Sequence, residues 1–196
     1  MIKLRLFTAL VPESELIKGI IALQKTCRRS GMENLRYIEA ENLHVTVNFL
    51  GDTSPQDLSV LHEILTGGVS VLKSPAFRPH ALGLFPSPRR ARSINLLLED
   101  PEGSMDAMFR HLDGTLRGAG FPGERRSFRP HISFGRFRSR RGELMEEDSL
   151  PSLTAGIRRI FRCSELVLFR SELGPGGARY YPEGRYRFGN QTNLGD

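Results

Sequence analysis

His44-Val45-Thr46-Val47-Asn48-Phe49-Leu50-Gly51 and His131-Ile132-Ser133-Phe134-Gly135-Arg136-Phe137 say one short thing twice. In each, a histidine and a hydroxyl residue stand two positions apart inside an apolar run. Side chains alternate across a strand, so histidine and hydroxyl leave by one face while Val45 and Val47, or Ile132 and Phe134, leave by the other. A single histidine in an apolar strand reads as a hydrogen-bonded core residue. Two copies with the same offset read differently. Laid side by side, the strands turn both imidazoles into one cleft, where one can take a proton while the other gives one.

The rest of the chain is that of an ordinary soluble globule. It has 196 residues, 39% apolar and 26% charged, enough for one good core or two small lobes. The longest apolar stretches, such as Gly19 to Leu23 and Leu96 to Leu98, fall far short of the roughly 20 residues a membrane span needs, so no membrane partner is expected. The opening Met1-Ile2-Lys3-Leu4-Arg5-Leu6-Phe7 alternates apolar and basic residues and reads as a first strand rather than a signal peptide. Cys27 and Cys163 stand apart, without the paired spacing of a zinc site and with little basis for a disulfide framework, which fits a reducing cytoplasm.

The net charge is +6, and arginine supplies the excess in Arg89-Arg90-Ala91-Arg92, Arg125-Arg126-Ser127-Phe128-Arg129 and Arg136-Phe137-Arg138-Ser139-Arg140-Arg141. Each run alone reads as a solvated loop. Two of the three bracket the second histidine motif, and arginine forks match phosphate oxygens, so a phosphorylated or nucleic-acid partner is expected.

Periodicity predicts a strand over 3–10, then a helix over 14–29 with Leu16, Ile17, Ile20 and Leu23 at helical spacing. The first motif strand spans 43–50, and a helix over 55–65 opens with Ser54-Pro55. Strands over 77–84 and 93–98 precede a helix over 104–117, with Met105, Met108, Leu112 and Leu116 on its buried side. Phe128-Arg129-Pro130 introduces the second motif strand, a further helix is predicted within 141–153, and strands over 158–169 and 179–188 flank the turn Gly174-Pro175-Gly176-Gly177. The expected fold class is α+β: two pseudo-symmetric lobes, each a mainly antiparallel sheet with helices on its outer face and the active cleft between them. Residues 1–188 would form this single domain of two intertwined lobes, and 189–196 a flexible C-terminal tail.

The segments Glu41-Asn42-Leu43-His44-Val45-Thr46-Val47-Asn48-Phe49-Leu50-Gly51 and Pro130-His131-Ile132-Ser133-Phe134-Gly135-Arg136 resemble the paired His-x-Thr/Ser-x motifs of the two-histidine (2H) phosphoesterase superfamily. The resemblance is closest to its LigT-like branch, the RNA 2′,3′-cyclic phosphodiesterases also called 2′-5′ RNA ligases. It spans nearly the whole chain, since the Arg5-Leu6-Phe7-Thr8-Ala9-Leu10 strand, the Leu168-Phe169-Arg170-Ser171-Glu172-Leu173 segment and Tyr180-Tyr181 also look like the family. The chain departs from the family pattern at Ser133, where threonine is commoner, and at Arg36-Tyr37-Ile38, where many relatives carry a tryptophan-containing segment.

This resemblance implies metal-independent hydrolysis of RNA 2′,3′-cyclic phosphate ends, tRNA fragments among them, to 2′-phosphomonoesters. It implies no cofactor and no obligate protein partner, and the same chemistry could join RNA ends through a 2′-5′ linkage. It makes His44 the general acid and His131 the base. Imidazole titrates near neutrality and serves in either role, which is why two histidines suffice without a metal. Thr46 and Ser133 would donate to the non-bridging phosphate oxygens. Arg129 shares the strand parity of His131, whereas Arg136 would reach the phosphate only if the strand bends at Gly135; a surface role stands beside the phosphate-binding one for both. Asn42 shares the parity of His44 and either orients it or caps a loop. His62, His80 and His111 have no neighbours at ligand spacing and read as structural. Two other readings stand beside the enzyme: a non-catalytic RNA-binding module, and a cyclic phosphodiesterase of small nucleotides.

Overall fold

Alternation writes the strands and 3.6-residue periodicity the helices, and the computed structural model, which describes residues 3–189 other than 125–126, 140 and 175–176, assembles them around one sheet. In chain order the elements are β1 (Leu4–Leu10), α1 (Ser14–Arg29), β2 (Leu35–Tyr37), β3 (Val45–Thr53), α2 (Leu58–Ser70), β4 (Ala76–Phe85), β5 (Ser93–Glu99), α3 (Ser104–Gly118), β6 (His131–Phe137), β7 (Phe161–Arg162), β8 (Glu165–Gly174) and β9 (Gly177–Arg187). The strands run β7-β4-β5-β6-β3-β1-β8-β9, with β2 also paired to β6, and every pairing is antiparallel.

The two histidine strands therefore sit side by side at the centre of the sheet. They touch through one register pair, Val45 opposite Ile132, so the sheet reads as two halves hinged on that contact. One half is β1, β3, β8 and β9, and the other β4, β5, β6, β2 and β7. The chain crosses between the halves repeatedly, because β2 leaves the first to pair with β6, and β8 returns from the second to pair with β1. This is the expected α+β architecture, built as one continuous antiparallel sheet.

One face of the sheet carries the core. Leu6, Leu10, Val45, Val47, Ile94, Leu96, Ile132 and Phe134 meet Leu16, Ile20 and Leu23 of α1, Leu61, Leu65 and Val69 of α2, and Met105, Met108, Leu112 and Leu116 of α3. Each fully buried leucine contributes roughly 1.5–3 kcal/mol, so the helices are held to that face and the opposite face is left to the site. Gln24, buried on α1, ties this packing to the second motif strand: its Nε2 donates to Ile38 O at 2.9 Å and Phe134 O at 3.0 Å.

Several expectations are corrected. The predicted helix within 141–153 does not form. Glu143 and Met145 spend their N–H groups on Ala91 O and Pro88 O, which holds the segment extended, and one 3₁₀ turn forms at Glu147–Ser149. The three-residue β2 is too short for alternation to announce it. The strand predicted over 158–169 divides into β7 and β8 with a break at Cys163 and Ser164. The helix predicted from Pro55 begins as a 3₁₀ turn, capped by Ser54 Oγ accepting from Gln56 N at 3.3 Å, and becomes α-helical at Leu58. Of the predicted tail, residues 190–196 lie outside the described residues, while Gly189 N–H donates to Leu72 O at 3.0 Å. Pro175 and Gly176 of the predicted turn, and Arg125, Arg126 and Arg140 of the arginine runs, also lie outside them.

Candidate active site

Val45 and Ile132 are fully buried in the core, so their neighbours in sequence must face the other way. Extending the antiparallel register by one residue in each direction sets His44 level with Ser133, and Thr46 level with His131. The arrangement is a quartet with an approximate two-fold axis through the Val45–Ile132 pair. All four side chains are half-buried on the sheet face that the helices leave open. The two histidines are diagonal neighbours in this frame, a separation of about 7–8 Å between residues.

Both imidazoles are oriented in the same way. Nδ1 of His44 lies 2.7 Å from Asn42 O, and Nδ1 of His131 lies 2.8 Å from Arg129 O. A carbonyl only accepts, so each Nδ1 carries a hydrogen and each Nε2 is left for whatever enters the cleft. Asn42 and Arg129, two residues before their histidines, thus act through main-chain oxygen. The Arg129 side chain is exposed. Among the described residues the hydroxyls of Thr46 and Ser133 have no hydrogen-bond partner, so both are free to donate.

The surroundings of the two histidines differ. His44 lies against Phe7 at 5.2 Å between ring centroids, Tyr180 at 5.2 Å edge-on and Phe169 at 6.3 Å. These rings, with Ala9 and Val167, form a small apolar cluster separate from the main core. Burial in this setting pushes the His44 pKa down to about 4; the Asn42 carbonyl opposes the shift, and His131 and Arg136 add to it. His131 instead stacks on Phe85, 5.6 Å between centroids and 20° between planes, and pairs across the sheet with Leu97 of β5.

Arg136 reaches this face because of a bulge. Opposite β5, Ser133 pairs with Asn95 and Gly135 with Ile94, so Phe134 is an extra residue and the parity of the strand flips after it. Arg136 then pairs with Ser93, on the side of Asn95 and Ser133. In β3 the same bulge recurs at the same step: Thr46 pairs with Ala9 and Asn48 with Thr8, leaving Val47 extra. The residue five after His44, Phe49, therefore joins the site face as Arg136 does, and it is 61% exposed. A second irregularity in β3 follows, at Leu50, beside Gly51 with its left-handed φ of 63°.

The motif reading found the quartet but missed Asn95, Phe49 and the aromatic wall of Phe7, Phe169 and Tyr180. Asn95 is 3% exposed, its Oδ1 has no hydrogen-bond partner, and it sits directly across from Ser133. Its signal was present in the sequence as the one amide within the apolar run Ile94-Asn95-Leu96-Leu97-Leu98. The other three histidines stay outside the site. His62 lies 2.6 Å from the Tyr186 hydroxyl, through Nδ1, between α2 and β9. A hollow of about 250 Å³ lined by Leu50, Asp52, Thr53, Asp57 and Phe121 lies at the far end of β3 and holds neither motif histidine. Cys27 and Cys163 are free, buried thiols, and burial pushes their pKa values up to about 11 and about 12. Among the described residues no helix is long and apolar enough to cross a membrane.

Comparison with known proteins places this geometry. Residues 11–94 match the family model described as LigT like Phosphoesterase. A Methanothermobacter thermautotrophicus protein named RNA 2′,3′-cyclic phosphodiesterase is 30% identical over 182 residues, covering 91% of this chain and 95% of that protein. A Methanocaldococcus jannaschii protein of the same name is 29% identical over 178 residues, covering 90% and 96%. Among solved structures, one from Thermus thermophilus superimposes with a TM-score of 0.80 at 21% identity, covering 95% of this chain and 99% of that one. Ligand-free Escherichia coli LigT superimposes at 0.74 and 22% identity, covering 96% and 99%, so both share the fold. With nearly a third of its residues identical to an archaeal relative along almost the full length of both, and with the doubled histidine strands at its centre, this chain belongs to the LigT-like phosphoesterase family.

Proposed function

We propose that this chain hydrolyses the 2′,3′-cyclic phosphate ends of RNA to 2′-phosphomonoesters, with His44 as general acid and His131 as general base. The observation that carries the reading is the quartet: two imidazoles with free Nε2 atoms and two unpartnered hydroxyls on one open face. The shared name of the archaeal relatives supports the substrate class.

The chemistry follows from placement. His131 Nε2 takes a proton from water as the water oxygen bonds to phosphorus, and the bond from phosphorus to the 3′ oxygen breaks as His44 protonates that oxygen. The products are a 2′-phosphate and a 3′-hydroxyl. Thr46 and Ser133 donate to the non-bridging oxygens as charge builds on them, and Asn95 adds an amide from the neighbouring strand β5. Asn42 and Arg129 hold the imidazoles through their carbonyls. With both proton transfers met by imidazole, no metal is required. Because free His44 titrates at about 4, it takes its proton from solvent as the substrate binds: an anionic phosphate beside the ring offsets the cost of charging it. The same pair acting on a 5′-hydroxyl in place of water would give 2′-5′ joining. We read 1–188 as one domain, since both halves of the sheet contribute to the quartet, working in a reducing cytoplasm on RNA ends, tRNA fragments included, without an obligate protein partner.

The test is turnover of a nucleoside 2′,3′-cyclic phosphate with EDTA present. The 2′-monophosphate is expected as product, and His44→Ala or His131→Ala should lower kcat at least about 10²-fold. A folded wild-type protein that binds RNA yet leaves the cyclic ester intact would favour the binding-module reading.

A further inference from the structure

Beyond the reacting phosphate, the site face continues into a groove of about 570 Å³ lined by Arg92, Ser93, Arg136, Phe137 and Ser139. It opens where β5, β6 and β2 meet. Arg136 is the central strand residue there, with Ser93 across from it on β5 and Arg36 directly across on β2. Leu35 and Tyr37 are buried in the core, which turns Arg36 to the same side as Arg136. Arg36, Arg92 and Arg136 are all exposed, and among the described residues none of them is paired with a carboxylate. By contrast Arg78, Arg117, Arg162, Arg170 and Arg185 all have carboxylate partners.

Two like charges directly opposite one another in a sheet destabilise it. Arg36 and Arg136 occupy such a pair, and among the described residues neither has a carboxylate partner. An incoming anion would turn that repulsion into a two-sided clamp, and guanidinium forks suit phosphate oxygens. The groove also lies at a telling distance. From Asn95, level with Ser133, to Ser93, level with Arg136, is two residues of β5, about 7 Å along the strand. That is the span of one nucleotide.

We propose that this groove binds the phosphodiester on the 5′ side of the terminal nucleotide, so that Arg36, Arg92 and Arg136 hold the second phosphate of an RNA end while the quartet holds the first. The inference rests on the hydrolase reading above and adds a polarity to it. The terminal base and ribose turn toward Phe7, Phe49 and Tyr180 on the β1–β3 half, and the RNA body leaves over β6. It also predicts preference for a polymer end over a free cyclic nucleotide.

The experiment compares kcat/KM on adenosine 2′,3′-cyclic phosphate with that on a diadenosine carrying the same cyclic end, for the wild type, Arg92→Ala and Arg36→Ala. Both arginines are exposed and lie outside the quartet, so both variants should fold. The wild type is expected to favour the dinucleotide about tenfold, with the advantage shrinking as salt rises. Each variant is expected to lose most of that advantage while its rate on the mononucleotide stays within about twofold, and Arg36→Ala should melt no lower than the wild type. Equal wild-type rates on the two substrates, or variants that fall equally on both, would overturn the subsite while leaving the hydrolase intact. Inactivity of the wild type on both would overturn the hydrolase reading and the subsite with it.

Discussion

Phe49 and Arg136 occupy the same step of two equivalent strands, each five residues after its histidine and each turned onto the site face by a bulge directly after the hydroxyl residue. One half of a nearly two-fold site thus presents an exposed aromatic ring where the other presents a cation. The asymmetry extends outward: Ala9 faces Thr46 where Asn95 faces Ser133, and Phe7 faces Phe49 where Ser93 faces Arg136. A nearly symmetric pair of histidines gains a direction from these neighbours.

Phe49 makes no large contribution to the core, since 61% of it is exposed. A base stacked on it would contribute about 1 kcal/mol or more. Phe49→Ala should therefore raise KM for a cyclic nucleotide about five- to tenfold, leave kcat within about twofold and shift stability by less than about 0.5 kcal/mol. Phe49→Tyr should restore KM. Steady-state kinetics and a thermal melt on the same preparations decide it, and a fall in kcat with unchanged KM would count against a stacking role.

Removing a donor to the developing charge costs rate rather than affinity. Thr46→Val and Ser133→Ala should each lower kcat about 10²-fold with little change in KM, in the range found for single oxyanion donors. The double variant should lose less than the product of the two, because in the proposed mechanism both hydroxyls serve one phosphorus centre.

Asn95 is buried with an unpartnered Oδ1, a condition that costs stability. Asn95→Leu, of similar volume and free of polar atoms, is expected to raise the stability measured by chemical denaturation by about 1 kcal/mol while lowering kcat/KM about tenfold or more. A residue kept only for packing would move both quantities in the same direction.

The Gln24 amide caps the carbonyl of Phe134, the bulged residue of β6, and that of Ile38. Gln24→Leu leaves two carbonyls without this donor and should cost about 1–3 kcal/mol. Because the bulge sets the direction of Arg136, activity on an RNA end should fall with it, even at temperatures where circular dichroism shows the variant folded.

His44 titrates at about 4 in the folded chain and at its ordinary value of 6.5 when unfolded. Between these two values the unfolded state binds more protons, so stability is full above about 6.5 and is lost as pH falls toward 4. His44→Gln should flatten that stretch of the stability curve. The acid limb of kcat/KM should lie near 4, and Phe7→Ala, which opens the ring to water, should move it upward. These limbs belong to the coupled pair of histidines rather than to one ring.

The sequence alone determined the quartet and its sidedness. A two-residue spacing inside an apolar run is a local property of a strand, and the alternation of β3 and β6 survives whatever packs against them. Most helices and strands were legible for the same reason, because their periods are written within a dozen residues. The sequence could not say that the motif strands bulge, since a bulge exists only against the register of a partner strand, here β1 and β5. Nor could it gather Phe7, Phe169 and Tyr180 around His44, or set Arg36 opposite Arg136. Those contacts join residues up to more than a hundred positions apart, and the tertiary pairing of the sheet alone decides them.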